Sequence, residues 1–219
     1  MNDAPAVISV LAREADGMGF AVAFVGERLV ATAVASTRSE VLRFVERRLP
    51  RDASRKAVEG GSPFGDRVIG MLRELEAGHE ENKAFSLATE LLAEPLPAVL
   101  TTAAAIPMGY VTSYGNIARA SGTEARVVGR IMATNPLYPV VPCHRVVGAD
   151  LSLVGYRGRT EGPDLDAKLA RLRGEARSWP REKVVPLDGG SLLVYPVERV
   201  LDSAEWSGPH ATRQRKLFE

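Results

Sequence analysis

Two prolines near the middle of the chain constrain its fold more than any other feature. Pro95 and Pro97 lie in the stretch LATELLAEPLPAVL, and because a proline inside a helix removes a backbone donor and clashes with the preceding turn, no continuous helix crosses it. The sequence before it is typical of strands, and the sequence after it has helical spacing. We therefore predict an N-terminal domain over residues 1–95, a second domain over 96–176 and an extension of unknown role over 177–219.

The N-terminal domain opens with three strand-like runs, AVISVLA, GFAVAFV and RLVATAVA, which are rich in Val, Ala and Phe. Asp-Gly and Gly-Glu turn signals at positions 16–17 and 26–27 separate them, which indicates an antiparallel meander. Helical spacing predicts helices over residues 39–49 and 64–77, with RDASRKAVEGGSP between them as a loop. This domain is therefore expected to be α/β, an antiparallel sheet plus helix.

The second domain is predicted to be mainly α-helical. LPAVLTTAAAIPMG indicates a short helix that Pro107 and Gly109 stop, and residues 113–122 and TEARVVGRIMATNP indicate two more, the latter with Thr123 as its N-cap. Two short helices joined by a glycine turn form either a helix-turn-helix or a plain helical hairpin, and pattern alone favours the hairpin. A further helix is predicted over residues 165–175, and VVPLDGGSLLVYP in the extension indicates a β-hairpin.

The cysteine content indicates a cellular compartment. Cys143 is the single cysteine, so no internal disulfide can form, and we expect a cytoplasmic protein, or one in the nucleoid or nucleus with DNA. No apolar run is long enough to span a bilayer and the N-terminus lacks the basic region of a secretory signal, so no membrane partner is expected. Beside one cysteine the chain has only His79, His144 and His210, so we predict no metal site.

The net charge of +1 does not by itself indicate a nucleic-acid partner. Between positions 119 and 159, however, six arginines stand against only two acidic residues, Glu124 and Asp150. A locally basic face and an ordinary solvated surface both fit this pattern. The six are Arg119, Arg126, Arg130, Arg145, Arg157 and Arg159.

Cys143 lies in the sequence PVVPCHRVV, directly before His144. A lone cysteine is usually a small buried apolar residue. A histidine that reaches the thiol, or a water beside it, can instead accept the thiol proton and leave the nucleophilic thiolate. The other nitrogen of His144 then needs an orienting partner, usually a carboxylate, which these residues alone do not identify.

PCHRVVG resembles the active-site motif of the O6-alkylguanine-DNA alkyltransferases, also called methylated-DNA–protein-cysteine methyltransferases. IPMGYVTSYGNIA is similar to the family's segment leading into its helix-turn-helix, and ARVVGRIMATNP is similar to its recognition helix and asparagine hinge. The interval from Asn135 to Cys143 matches the family's spacing. The resemblance is strong over residues 106–148 and looser over 155–175, and four ordered motifs in one stretch make it specific.

The resemblance implies a role for each site residue. Cys143 would be the alkyl acceptor, His144 would take its proton through a water, and Glu175, identified by its spacing in KLARLRGEA, would orient His144. Tyr114 would lie near the flipped guanine. Asn135 would tie the recognition helix to the active-site turn.

On the DNA side, the resemblance implies that Arg126 enters the base stack in place of the extruded nucleotide. The recognition helix would lie in the minor groove, where Ala125 and Gly129 suit a close approach, although they suit helix packing equally well. Without the resemblance, Arg126 is typical of a surface salt bridge and Tyr114 of a half-buried core aromatic.

The family's fold and activity follow as further expectations. The N-terminal domain would be ribonuclease-H-like, and the mainly helical second domain would hold a helix-turn-helix and the site. The activity would be that of a methylated-DNA–protein-cysteine S-methyltransferase, which moves the alkyl group of O6-alkylguanine in double-stranded DNA onto Cys143 once per molecule, without cofactor. We expect a monomer.

Three alternative functions stay open. A non-catalytic lesion sensor of the alkyltransferase-like type would lack the acceptor cysteine, a cysteine hydrolase would leave the helix pair unexplained, and a cysteine-sensing transcription regulator would bind a specific sequence. The chain departs from the family in the loop 151–164, where Arg157 replaces a small polar residue, so the preferred lesion is not predicted. The extension beyond residue 176 also exceeds the family's usual end.

Overall fold

The computed structural model describes residues 6–79, 85–156 and 162–206, with side chains described as far as residue 202. Over these residues the chain has an α/β fold, with two sheets and seven α-helices. None of the helices in the described ranges is long and apolar enough to cross a membrane.

The chain divides into two compact units. Unit 1 comprises Met1–Thr101 together with Asn135–Val141, and unit 2 comprises Thr102–Thr134 together with Pro142–Glu219. This division differs from the predicted boundaries at 95/96 and 176/177. A short piece from the middle of the predicted second domain groups with the first, and the extension groups with unit 2.

The predicted meander is confirmed in unit 1. Strands β1 (Ile8–Ala15), β2 (Met18–Val25) and β3 (Arg28–Ala35) pair antiparallel in sequence order. Asp16 and Gly17 turn the chain between the first two strands with φ angles of 53° and 73°, a left-handed backbone that the Asp-Gly pair tolerates well.

Two short strands complete this sheet and were not predicted. β4 (Arg55–Ala57) pairs parallel to β1 at one edge, and β5 (Ser86–Leu87) pairs parallel to β3 at the other. The prediction of a loop through RDASRKAVEGGSP was therefore wrong at β4. Its three residues are all exposed, so no alternation of apolar and polar residues marks them as a strand.

Both predicted helices of unit 1 are present. α1 (Arg38–Glu46) begins after the N-cap Thr37, which forms a capping box with Glu40, and α2 (Pro63–Glu76) begins after the N-cap Ser62. In each case the capping side chain satisfies a backbone donor that the first helical turn leaves open.

The two helices pack against residues on opposite faces of the meander, because side chains alternate between faces along a strand. Val41 and Val45 of α1 join a core cluster with strand alanines such as Ala23. Phe64 of α2 meets Phe24, the next residue on that strand, with ring centroids 5.2 Å apart.

The separate piece of unit 1, residues 135–141, lies along β3. The backbone of Thr32 donates to the carbonyl of Pro136 at 2.8 Å, and its hydroxyl donates to the carbonyl of Tyr138 at 2.9 Å. Thr32 is buried, so these hydrogen bonds satisfy polar groups that would otherwise be costly to bury.

In unit 2 the two predicted short helices are α4 (Tyr114–Ser121) and α5 (Ala125–Ala133). Gly122 ends α4 with a left-handed φ of 67°. The N-cap of α5 is Glu124 rather than the predicted Thr123, because the backbone N–H of Thr123 donates to Ala118 and so closes the end of α4.

Unit 2 also holds a four-stranded mixed sheet that the sequence did not predict as a whole. Its order is β7-β6-β9-β8, formed by β6 (Tyr110–Ser113), β7 (Val146–Val147), β8 (Lys183–Leu187) and β9 (Gly190–Pro196). The predicted hairpin in VVPLDGGSLLVYP is confirmed as β8–β9, and β9 pairs with β6. The hairpin thus belongs to the same sheet as β6, the strand that leads directly into α4.

Three further helices complete the fold. α3 (Leu96–Ala104) and α6 (Pro163–Gly174) correspond to predicted helices, and α7 (Glu198–Trp206) follows β9. α6 and α7 pack against β6 and β7 through a buried cluster of aliphatic residues, which are Val111, Val147, Leu172, Val197 and Val200.

Candidate active site

Cys143 opens a short 3₁₀ turn, Cys143–Arg145, directly after Pro142. The backbone N–H of Arg145 donates to the carbonyl of Pro142 at 2.9 Å, which closes the turn. The next two residues form β7, which pairs parallel to β6. The turn is therefore anchored at the sheet, and Cys143 is only 5% exposed.

His144 and Glu175 form the hydrogen bond that the resemblance implied. Nε2 of His144 lies 2.7 Å from Oε1 of Glu175, and both side chains are buried. Because a carboxylate only accepts, Nε2 carries the proton and Nδ1 has the free lone pair. Burial lowers the pKa of His144 below its usual 6.5, against the opposing effect of Glu175, so the ring is neutral at pH 7.

Nδ1 of His144 is buried and has no hydrogen-bond partner among the described residues. A buried polar atom without a partner is uncommon in a folded protein. In this tautomer Nδ1 is a base that can accept a proton from a neighbouring group.

Arg145 holds the same carboxylate from a second side. Its Nε donates to Oε2 of Glu175 at 2.8 Å and a terminal nitrogen donates to Oε1 at 2.9 Å, while the other terminal nitrogen donates to the carbonyl of Ile106 at 2.7 Å. Burial alone would raise the pKa of Glu175, but the hydrogen bond from His144 and the charge and hydrogen bonds of Arg145 lower it to about 2. Glu175 is therefore an anion at all physiological pH values.

The sequence does not predict that Arg145 binds Glu175. From the sequence, Arg145 is only one of six arginines that could form a basic face. It is instead a buried residue paired with a buried carboxylate. Two other members of that set, Arg157 and Arg159, lie outside the described residues.

Lys168 is a second site residue that the sequence did not single out. Its side chain is fully buried, and Nζ donates to the carbonyls of Val146 at 2.6 Å and Val154 at 2.9 Å. Burial lowers the pKa of Lys168 to about 8, against the opposing negative charge of Cys143. A signal did exist, because Lys168 stands at helical spacing between Leu165 and Leu172, in the apolar stripe of α6.

Tyr114, the first residue of α4, lies within electrostatic reach of Cys143. Burial, and then the negative charge of the thiolate, raise the pKa of Tyr114 to about 12. Its hydroxyl therefore keeps its proton at neutral pH. A Cβ atom built on Gly129 of α5 would lie 4.0 Å from the ring of Tyr114, so the absence of a side chain at Gly129 leaves space beside the ring.

Arg126 and Ala125 lie exposed at the start of α5, whose opposite face buries Val128, Ile131 and Met132. Within the described part of the chain, Arg126 makes no ion pair or side-chain hydrogen bond, so the salt bridge considered from sequence is not seen there.

Asn135 is buried in the piece of chain that belongs to unit 1. Its Nδ2 donates to the carbonyl of Val141 at 2.7 Å, and its Oδ1 accepts from the backbone N–H of Leu137 at 2.9 Å. The C-cap of α5 is Thr134, so Asn135 closes the loop after the helix rather than the helix itself.

The sequence model described as "6-O-methylguanine DNA methyltransferase, DNA binding domain" matches residues 96–177. These residues form a DNA-binding domain of the 6-O-methylguanine DNA methyltransferase family. The match spans the helix pair, the Cys143 turn and Glu175, and it confirms the family that the motifs indicated.

Relatives of this DNA-binding domain include methylated-DNA–protein-cysteine methyltransferases from two archaea. That of Pyrobaculum aerophilum is 55% identical over 69 residues, which cover 32% of this chain and 45% of the relative. That of Archaeoglobus fulgidus is 40% identical over 79 residues, which cover 35% and 53%. The matched part of the chain thus spans about half the length of these relatives.

The fold of this chain is similar to that of a solved O6-methylguanine methyltransferase from Mycobacterium tuberculosis. The TM-score is 0.52 at 24% identity, over 79% of this chain and 95% of the other. At this identity the likeness establishes the fold.

The histidines offer no metal cluster in the described part of the chain, where no group of three His, Cys, Asp or Glu side chains could hold an ion. His79 is exposed and pairs with Glu74 at 2.8 Å, and His144 is committed to Glu175. His210 lies outside the described residues.

Proposed function

We propose that this protein repairs DNA directly, by moving the alkyl group of O6-alkylguanine in double-stranded DNA to the sulfur of Cys143. The observation that carries the proposal is the hydrogen bond of 2.7 Å between His144 and Glu175, which leaves a buried neutral base on the residue that follows the chain's one cysteine. This arrangement occurs inside a domain of the methyltransferase family.

The first step is loss of the thiol proton. Because adjacent side chains rarely face each other, we propose that a water carries the proton from Cys143 to Nδ1 of His144. Glu175 stabilises the imidazolium that forms, since its low pKa keeps it anionic. The ammonium of Lys168, which retains most of its charge at pH 7, favours the thiolate over the thiol.

In the second step the thiolate attacks the alkyl carbon in line with the guanine oxygen. The carbon–sulfur bond forms as the carbon–oxygen bond breaks, and guanine leaves as an anion that takes a proton or a hydrogen bond. We propose that the protonated hydroxyl of Tyr114 supplies it, in keeping with its raised pKa. The thioether is not hydrolysed, so each molecule acts once and needs no cofactor.

DNA binding is assigned to α4, its turn and α5, as a helix-turn-helix. The target atom lies within a base stack, so the nucleotide must swing out before it can react. We propose that the exposed Arg126, which forms no ion pair with the described residues, fills the vacated position. Ala125 and Gly129 would allow α5 to approach the minor groove closely. Asn135 fixes the loop that leads from α5 to Cys143 through its two hydrogen bonds.

We also propose a fold type for unit 1, an oligomeric state and a cellular location. The meander, α1 and the parallel strand β4 beside β1 support a ribonuclease-H-like unit 1. We propose that the protein acts as a monomer on DNA, in the cytoplasm or nucleoid.

The decisive experiment is mass spectrometry of the intact protein and its peptides after incubation with duplex DNA containing O6-methylguanine. We expect one added methyl group on Cys143, and none in Cys143→Ala. Tight binding to the lesion without added mass would contradict the transferase and establish a lesion sensor instead. Repeated release of a small product would indicate a cysteine hydrolase.

A further inference from the structure

Charge is unevenly distributed in unit 1. The segment from residue 38 to residue 56 carries seven basic and three acidic residues. The rest of unit 1 carries five basic and twelve acidic residues. The whole-chain charge of +1 hides this contrast, because the net charge of +4 in the segment and of +4 in unit 2 together offset the net charge of −7 in the rest of unit 1.

Most cations of this segment lack the acidic partners, within the described ranges, that the other arginines of unit 1 have. Arg28, Arg67 and Arg73 each form an ion pair, with Glu90, Glu27 and Asp16 respectively. Five exposed cations of the segment make no ion pair with any residue of the described ranges. They are Arg43, Arg47, Arg51, Arg55 and Lys56, and we name them the α1–β4 basic surface.

The fold holds these five side chains on neighbouring elements. Arg43 and Arg47 are one helical turn apart at the C-terminal end of α1, so they lie on one side of the helix, away from the buried Val41 and Val45. α1 and β4 both contact β1, and the intervening turn is fixed by the carbonyl of Ser54, which accepts from the backbone N–H of Ile8 at 2.8 Å.

Arg47, a member of this surface, is close enough to the neighbouring Arg48 to affect its pKa. Arg48 lies with its guanidinium 3.3 Å from the centre of the Phe44 ring. Burial, and then the positive charge of Arg47, lower the pKa of Arg48. Of the three acidic residues in the segment, Glu40 is engaged by the capping box, and Glu46 and Asp52 form no ion pair with a cation of the described ranges.

Two ordinary explanations cover only parts of the surface. Positive residues at the end of α1 complement the helix dipole, which accounts for Arg43 and Arg47. Charged residues on an edge strand discourage pairing with another chain, which accounts for Arg55 and Lys56. Neither explains Arg51 in the turn or the concentration of all five in one segment of an otherwise acidic unit.

We propose that the α1–β4 basic surface binds the phosphodiester backbone of DNA, as a contact separate from α5 and independent of base sequence. Guanidinium groups bind phosphate through paired hydrogen bonds, and a phosphate array needs several unpaired cations at neighbouring positions. The identity of the ligand rests on the proposed function, because DNA is the polyanion on which the protein would act.

The test compares two triple variants of the full-length protein that lose the same charge. Arg43→Gln/Arg47→Gln/Arg51→Gln removes three members of the surface, and Arg28→Gln/Arg67→Gln/Arg73→Gln removes three ion-paired arginines of the same unit. Affinity for lesion-free duplex DNA is measured between about 50 and 200 mM salt, the range in which counterion release is resolved. Thermal unfolding establishes that both variants are folded.

If the inference holds, the slope of log affinity against log salt concentration becomes less negative by about 2 to 3 in the surface variant, because each phosphate contact contributes about −0.9 to the slope. The matched variant changes the slope by much less. Equal slopes in the two variants would overturn the inference, as would a loss of binding to anionic lipid vesicles with DNA binding unchanged. Methyl transfer to Cys143 in the wild-type protein is scored separately, so failure of the surface is distinct from failure of the proposed function.

Discussion

At the residue scale, Glu175 connects two side chains that are neighbours in sequence. His144 and Arg145 follow each other in a 3₁₀ turn, where successive side chains point about 120° apart. Both nevertheless reach one carboxylate, His144 at Oε1 and Arg145 at both oxygens. The carboxylate therefore sets the histidine tautomer and also neutralises a buried guanidinium. Loss of this one side chain affects both.

We predict that Glu175→Gln lowers the free energy of unfolding by about 3 kcal/mol at pH 7, because it leaves Arg145 buried without its counter-charge. The lowered pKa of Glu175 also stabilises the wild-type fold above about 4.5, the ordinary value, and this stabilisation is lost as the pH falls towards about 2. Urea unfolding between pH 7 and pH 3 measures both effects. Glu74→Gln, at an exposed pair, is the control, and an equal loss in both variants would contradict the prediction.

Tyr114→Phe is expected to slow alkyl transfer by about 10²-fold, because it removes the proton donor to the leaving guanine. The measurement is the single-turnover rate of methyl transfer from duplex DNA, with Tyr195→Phe on β9 as the control. Since the pKa of Tyr114 is about 12, the wild-type rate should show no loss of this donor between pH 7 and pH 10. An unchanged rate in Tyr114→Phe would remove Tyr114 from the mechanism.

At the element scale, β6 links the extension to the site. It pairs with β7 on one side and β9 on the other, and α4, which starts with Tyr114, follows it directly. The hydroxyl of Thr112 donates to the carbonyl of Leu193 at 2.6 Å. The extension therefore holds the strand from which both Tyr114 and the Cys143 turn are positioned.

Gly109→Ala should destabilise this junction by about 1 to 3 kcal/mol. Gly109 has a φ of 78°, and an added Cβ would lie 2.6 Å from Nε1 of Trp179 in the extension. Thermal or urea unfolding tests this, with Gly190→Ala as the control, because a Cβ there meets nothing within 4 Å. Comparable stability of the two variants would show that the contact between Gly109 and Trp179 contributes little.

The elements that the sequence predicted are those with a repeating pattern or a cap. The meander and α2 show strand and helix periodicity over many residues, whereas β4, β5 and β7 have two or three residues each, too few to show a period. The same limit applies to the site. A motif identified Cys143, His144 and Glu175, but the burial of Arg145 and Lys168 depends on elements that meet only in the folded chain.

At the scale of the whole molecule, the chain passes between the units three times. It leaves unit 1 after Thr101, returns for residues 135–141, and enters unit 2 again at Pro142, one residue before Cys143. The loop before Cys143 is thus held by the hydrogen bonds of Thr32 on β3.

Thr32→Val is therefore expected to cost about 1 kcal/mol of stability, because it removes the hydrogen bond to the carbonyl of Tyr138 and retains the side-chain shape. We also expect slower methyl transfer, since the loosened loop leads into the Cys143 turn. Unfolding and single-turnover assays of the same variant measure the two effects. A stability loss with an unchanged rate would show that the turn is fixed independently of the loop.

The interleaved chain path restricts how such proteins can recombine. A chimaera joined at one crossover point near residue 101 would take the sheet of unit 1 from one parent and the strip that lies along it, residues 135–141, from the other. The buried contacts of Thr32 with Pro136 and Tyr138 would then have to form between sequences with separate histories. Exchange of unit 1 between homologues would keep those contacts only if the seven-residue strip were exchanged with it. That requires two additional crossovers, one before Asn135 and one between Val141 and Pro142, next to the turn that holds Cys143.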